Sequence, residues 1–230
     1  MSTKTTNIKI KTTGLSLVRQ YLVTYNAASL VAWSYIAIRV LTNIGNYTTN
    51  YENFGGFLLV VQTFALLEIF HSAFGIVRSP IIPNVLQVGS RLIIVWLVVR
   101  NFPEVAAVWP YSTTSFAWSV SEVIRYGYYT LNLLRVDNSF FKALTYCRYT
   151  FFLVLYPVGA CSEFVLMQAS QIITKTRPEL STLNTIFSVL LKAWPVGFYF
   201  MFSHLKAQRA KFIESLSKDA KKEKVSKKEE

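Results

Sequence analysis

Two cysteines and two histidines are all that 230 residues contain, and each scarcity excludes a chemistry. Cys147 and Cys161 lie in one apolar run, where fourteen residues of helix put them about 21 Å apart, beyond disulfide reach. No disulfide framework is expected. With only His71 and His204 the chain cannot supply a many-histidine oxygenase box, nor the paired Glu-x-x-His helices of a di-metal bundle. Charge is scarce as well, at 16% of residues, and acid is scarcer than base: 12 Asp and Glu against 24 Lys and Arg. The net charge of +12 is not laid out as a nucleic-acid footprint, because the basic residues gather at the two ends and in short gaps between apolar runs. The first twenty residues are polar and basic and lack the short apolar core of a cleavable signal, so the first apolar run is expected to be its own anchor.

What the chain has in abundance is apolar surface, 52% hydrophobic and 15% aromatic, too much for an ordinary soluble domain. The reading is an all-α polytopic membrane protein, a bundle of six transmembrane helices. The apolar segments fall near residues 21–41, 57–77, 81–99, 105–134, 144–173 and 183–202, each long enough to cross about 30 Å of hydrocarbon. The fourth is the least apolar. Breakers fill the gaps: Gly45, Gly55 and Gly56, then Pro80, Pro103 and Pro178. Residues 1–20 form an N-terminal arm, 21–205 the membrane domain, and 206–230 a basic tail ending KKEE.

Six crossings put both termini on one side. That side holds sixteen Lys and Arg and the other four, and without the nine of the tail the ratio is still seven to four, so both ends are expected to be cytosolic. The KKEE end resembles the dilysine retrieval signal of endoplasmic-reticulum membrane proteins. Read blandly, it is a solvated charge run. Asn46-Tyr47-Thr48 is a glycosylation sequon in the first lumenal loop, too near the membrane to be used.

Ionisable residues inside lipid cost about 3 kcal/mol at a helix centre and are kept for pairing or chemistry. Glu68 and His71 share one face of segment two. Their ExxH spacing suggests either a metal pair, which two histidines cannot complete, or a hydrogen-bonded pair that locks helices together. His71 also opens HSAFGIVR, the spacing of the phosphatase loop HCxxxxxR ending at Arg78, but Ser72 without an adjacent base is a poor nucleophile. Arg91 lies in VGSRLIIVW, and Glu122, Arg125 and Tyr126 in WSVSEVIRYGYY. Glu122 and Arg125 stand i,i+3 and can neutralise each other, while Glu68 or Glu122 can serve Arg91.

Segment five contains RYTFFLVLYPVGACSEF, residues 148–164. Seven residues separate Tyr156 from Glu163, which places them about 20° apart around a helix axis and about 10.5 Å apart along it. They share a face. Pro157 between them lacks an N–H and is expected to kink or open the helix, and Gly159 admits a close neighbour. Irregular backbone at membrane depth is tolerated beside a protein cavity, so this face borders a pocket or bonds neighbouring helices as glue.

LEIFHSAFGIVRSP, VGSRLIIVW, WSVSEVIRYGYY and above all YPxGxxxE in segment five resemble, in order, the very-long-chain 3-hydroxyacyl-CoA dehydratases, also called protein-tyrosine-phosphatase-like proteins. The likeness runs from Leu67 to Glu163. It implies a six-span enzyme of the endoplasmic reticulum, a hydro-lyase for the third step of fatty acid elongation, and makes 21–205 its catalytic domain. It implies Tyr156 and Glu163 as the catalytic pair, with Arg148, Gly159 and Arg91 at positions typical of the family and Glu68, His71, Glu122 and Arg125 in support. One departure is the segment-two loop, where Ser72 and Arg78 replace the Cys and Pro of HCxxGxxP; the dehydration does not use that cysteine. The implied substrate is a long-chain 3-hydroxyacyl-CoA embedded among membrane lipid. The implied partners are the elongase, ketoreductase and enoyl reductase of the same cycle, and no nucleic acid. No redox cofactor or metal is expected, coenzyme A being part of the substrate.

Elimination needs a base for the proton alpha to the thioester, an acid for the departing hydroxyl and donors for enolate charge. Glu163 suits the base and Tyr156 the acid. The reverse assignment stays open, because burial disfavours a charged carboxylate. Two other readings compete: a small six-span transporter, which should show a second broken helix echoing YPVGACSE in the first half, and a noncatalytic scaffold of the elongation complex.

Overall fold

The computed structural model describes residues 16–229, with side chains through residue 218. Most of the N-terminal arm and the side chains of the KKEE end lie outside the described residues. Among these residues all regular structure is helical: α1 (Leu17–Thr42), α2 (Gly56–Phe64), α3 (Leu66–Ala73), α4 (Ile81–Leu92), α5 (Trp109–Leu133), α6 (Ser139–Arg148), α7 (Phe152–Lys175) and α8 (Ser181–Glu229). A π-helical turn, Tyr51–Gly55, leads into α2, and a second, Ile93–Val99, carries α4 onward.

Local chemistry sets several of the ends. Ser16 Oγ accepts the Arg19 N–H at 3.4 Å and starts α1, and Asn138 Oδ1 accepts the Phe141 N–H at 2.8 Å and starts α6. α3 stops at Gly75, whose φ of +67° suits a residue with no Cβ. α5 stops in the same way, but on Arg135 (φ 57°): the Arg135 N–H meets the Asn132 carbonyl at 3.1 Å and the Val136 N–H meets the Leu131 carbonyl at 3.0 Å.

Five stretches are long and apolar enough to cross a membrane: 17–42, 47–73, 81–99, 152–175 and 178–218. The described chain thus has eight α-helices and five such spans, where six were expected. The expected fourth segment is α5, whose 25 residues reach about 37 Å but are too polar to count. The reason is its place in the bundle. α5 packs against α1 on one side and α7 on the other, and its Ser112, Ser115, Ser119 and Glu122 are buried against protein. Small hydroxyl side chains let helix backbones approach closely, so a helix enclosed by others need not be apolar all round. The outer helices instead expose large apolar groups such as Val31, Phe74, Val196 and Tyr199, an exterior suited to hydrocarbon.

The fifth segment also differs from expectation. It breaks at residues 149–151, so Arg148 ends α6 and does not begin the span that carries Tyr156. Tertiary contacts account for the break: Tyr149 stacks on Phe212 of α8 with ring centroids 4.4 Å apart, and the Arg148 guanidinium lies over Tyr128 and Tyr129 of α5. Pro157 falls inside α7, which runs on through it as helix; the interruption comes about two turns earlier than the proline.

Candidate active site

Four ionisable side chains meet between α3, α4 and α5. Glu122 on α5 is buried, with one oxygen 2.5 Å from Arg91 Nη1 of α4 and the other accepting Arg125 Nε at 2.6 Å. Arg125 then reaches α3, donating from both terminal nitrogens to Glu68 at 2.6 and 2.8 Å. The Tyr126 hydroxyl donates to Glu68 as well. Two carboxylates and two guanidinia cancel in charge, and the fork-to-fork Arg125–Glu68 pair fixes α3 against α5.

Glu68 and His71 do not bond to each other; each ties α3 to a different neighbouring helix. Arg125 and Tyr126 hold Glu68, and His71 Nε2 lies 2.8 Å from the Tyr21 hydroxyl of α1. Ser72 is a structural node, its hydroxyl meeting the Glu68 carbonyl at 3.0 Å, Ser79 at 2.6 Å and the Asn84 amide at 2.6 Å. Arg78 is exposed.

Tyr156 and Glu163 line the same cavity, of about 340 Å³, between α4, α5, α7 and α8. Glu163 is buried, and one carboxylate oxygen accepts the indole N–H of Trp118 at 2.7 Å. The indole of Trp194 on α8 approaches the same carboxylate. Arg91 stacks its guanidinium over the Trp118 ring, 5.1 Å from the centroid, and itself lines the cavity. Tyr156 is half-buried, its ring stacked against Phe198 and Phe202 of α8 at 5.4 and 6.1 Å. Gly159 stands against α5: a Cβ there would lie 3.5 Å from Ala117 Cβ and 3.9 Å from Trp118 Cδ1, leaving room for a methyl and little more. That close approach seats Trp118 beside Glu163.

A smaller cavity of about 130 Å³ adjoins the first and shares Gln87, Arg91, Ser121, Leu155, Tyr156 and Met201 with it. It extends to Arg148 and Gln208. The Arg148 guanidinium is held over Tyr128 and Tyr129 at 4.4 and 4.5 Å, and donates from Nη2 to the Tyr129 hydroxyl at 3.1 Å. Its Nη1 is buried without a hydrogen-bond partner. Trp118, Trp194, Gln87 and Ser121 were not singled out as site residues from the sequence. Trp118 heads the quoted WSVSEVIRYGYY, but an indole on an apolar helix carries no local sign that its N–H meets a carboxylate 45 residues away.

Residues 62–215 match the family described as protein tyrosine phosphatase-like protein, PTPLA. The chain is 38% identical over 196 residues to a Schizosaccharomyces pombe protein named a probable very-long-chain (3R)-3-hydroxyacyl-CoA dehydratase, covering 84% of this chain and 92% of that one. It is 33% identical over 215 residues to the Caenorhabditis elegans very-long-chain (3R)-3-hydroxyacyl-CoA dehydratase hpo-8, covering 87% and 98%. An Arabidopsis thaliana relative, the dehydratase PASTICCINO 2, is 36% identical over 164 residues, 66% of this chain and 70% of its own. No solved structure matches.

Proposed function

The chain belongs to the protein tyrosine phosphatase-like family, and from that premise we propose that it dehydrates very-long-chain 3-hydroxyacyl-CoA with Tyr156 and Glu163 as the reacting pair. The likeness to named dehydratases spans 84% and 87% of the chain in two relatives, which favours this reading over a transporter or a noncatalytic scaffold. The observation that carries the site is the single cavity lined by both side chains.

Glu163, as carboxylate, takes the proton from the carbon alpha to the thioester. The electrons of that C–H bond become the new double bond as the bond from carbon 3 to oxygen breaks. Tyr156 gives its proton to the departing hydroxyl, which leaves as water, and the proton on Glu163 returns through solvent to the phenolate. The step is redox-neutral and draws on no cofactor. The Trp118 N–H donates to Glu163, and the Arg91 guanidinium stacks over that indole ring. Arg91, which lines the cavity, is suited to stabilising developing enolate charge.

Arg148, with an unpartnered Nη1 beside the smaller cavity, is suited to the phosphates of coenzyme A. The topology that fits is six crossings, α5 included, with residues 1–20 and 206–230 on the cytosolic face of the endoplasmic reticulum and 21–205 as the catalytic domain. The cytosolic face would give access to the other enzymes of the elongation cycle. The test is incubation of purified, lipid-reconstituted protein with a very-long-chain 3-hydroxyacyl-CoA. Appearance of the trans-2-enoyl thioester is expected, and its absence overturns the reading.

A further inference from the structure

The larger cavity has one wall on α4 and the opposite wall on α8. The α4 wall includes Val85, Leu86 and Gly89 and carries the polar Gln87 and Arg91 where it joins the smaller cavity; the α8 wall includes Leu190, Ala193, Gly197 and Phe198. These helices find their main packing elsewhere, α8 on α7 and α4 on α2 and α3. Four of the lining residues, Val85, Leu86, Ala193 and Gly197, are exposed on the outside of the protein. They lie within the apolar stretches 81–99 and 178–218. A Cβ placed on Gly89 or on Gly197 would meet nothing within 4 Å. The cavity therefore has an apolar mouth on the lipid-facing surface.

We propose that this mouth is a lateral slot through which the acyl chain of the substrate passes from the reacting pair into the bilayer. The proposal rests on the dehydratase reading and adds to it the path of the chain. Size supports the slot: about 340 Å³ is at the small end of ligand cavities, enough for the hydroxyl-bearing end of a very long chain but not for its whole length. Polarity supports the direction. Down α8 the lining runs from Gln208 and Leu205 in the smaller cavity to Leu190 in the larger, eighteen residues or about 27 Å, and the charged Arg148 stands at the polar end. A thioester held at Tyr156 with its nucleotide toward Arg148 directs its tail to the α4–α8 mouth. Lipid tails are as apolar as leucine, so carbons beyond the slot exchange one hydrocarbon surrounding for another. The slot accordingly sets no upper limit on chain length and gains no affinity from each added carbon.

Two measurements on reconstituted full-length protein test this. In the first, Gly89→Phe and Gly197→Phe place a ring in the slot from opposite walls, and turnover is compared between a medium-chain and a very-long-chain 3-hydroxyacyl-CoA. Shape changes of this size in an apolar pocket discriminate by about tenfold or more, so the ratio of very-long-chain to medium-chain kcat/KM is expected to fall at least about tenfold in each variant. Val196→Phe, which faces lipid beside the slot, is expected to keep the parent's ratio. In the second, a very-long-chain substrate carrying a mid-chain diazirine is photolysed on the unsubstituted protein, and cross-links are expected on α4 near Gly89 and on α8 near Ala193. An unchanged ratio in both glycine variants, an equal fall for both substrates, or cross-links confined to α1 and α5 overturns the slot. A parent protein that turns over neither substrate overturns the dehydratase reading itself, a result distinct from an active parent with an unselective slot.

Discussion

Trp118 carries more of this account than its place in the sequence suggests. Its N–H holds Glu163 at 2.7 Å and its ring face is covered by Arg91, so it links the ion network to the proposed base. A hydrogen bond to a charged group is worth about 1.5–3 kcal/mol, and Trp118→Phe should lower kcat about tenfold to hundredfold with KM nearly unchanged, as steady-state kinetics will show. A purely structural tryptophan would instead lower the amount of folded enzyme with the kcat of the remainder intact. Glu122 has the opposite character. It is buried and bonded to two arginines from different helices, so Glu122→Ala strands Arg91 and leaves Arg125 to Glu68 alone; it should cost about 3–5 kcal/mol, seen as a lowered Tm in detergent before any kinetic effect. The Glu122–Arg125 bond was legible in the sequence because i,i+3 spacing alone brings the two together. The Arg125–Glu68 bond crosses 57 residues and the Trp118–Glu163 bond crosses 45, and only packing decides such pairs.

At the scale of elements, helix ends and close approaches set the geometry. Arg135 occupies a left-handed position that costs a residue with a Cβ about 1–2 kcal/mol, so Arg135→Gly should raise stability by about 1 kcal/mol, measured by thermal unfolding. Gly159→Ala should be tolerated, since its methyl would make an ordinary 3.5 Å contact with Ala117, whereas Gly159→Leu must push α5 and Trp118 away and should abolish turnover. The existence and approximate limits of α1, of the third span and of the apolar part of α8 were readable from long apolar runs; the second span was readable too, but it starts ten residues earlier than expected, at Tyr47, because helical turns run through Gly55 and Gly56. The break between α6 and α7 was not. TYCRYTFF contains neither breaker, and the interruption is imposed by Tyr149 stacking on α8 and Arg148 on α5.

At the scale of the molecule, α5 decides how the chain meets the membrane. A hydropathy pattern counts what faces lipid, and α5, enclosed by α1 and α7, faces mostly protein; this is why it read as the weakest of six segments and falls outside the five apolar stretches. Protease-sensitive tags inserted at Asn101 and at Asp137, on either side of α5, should be cleaved from opposite faces of sealed membranes. Cleavage from the same face would remove α5 as a crossing and put the two termini on different sides. The larger claim is that one lipid-embedded cavity brings a phenol and a carboxylate to bear on a single fatty thioester. The most direct measurement is the turnover of a very-long-chain 3-hydroxyacyl-CoA by folded Tyr156→Phe and Glu163→Gln proteins beside the parent. Each should lose at least about a hundredfold in kcat, the low end for a proton-transfer group; turnover at the parent's rate by either folded variant would contradict the assignment.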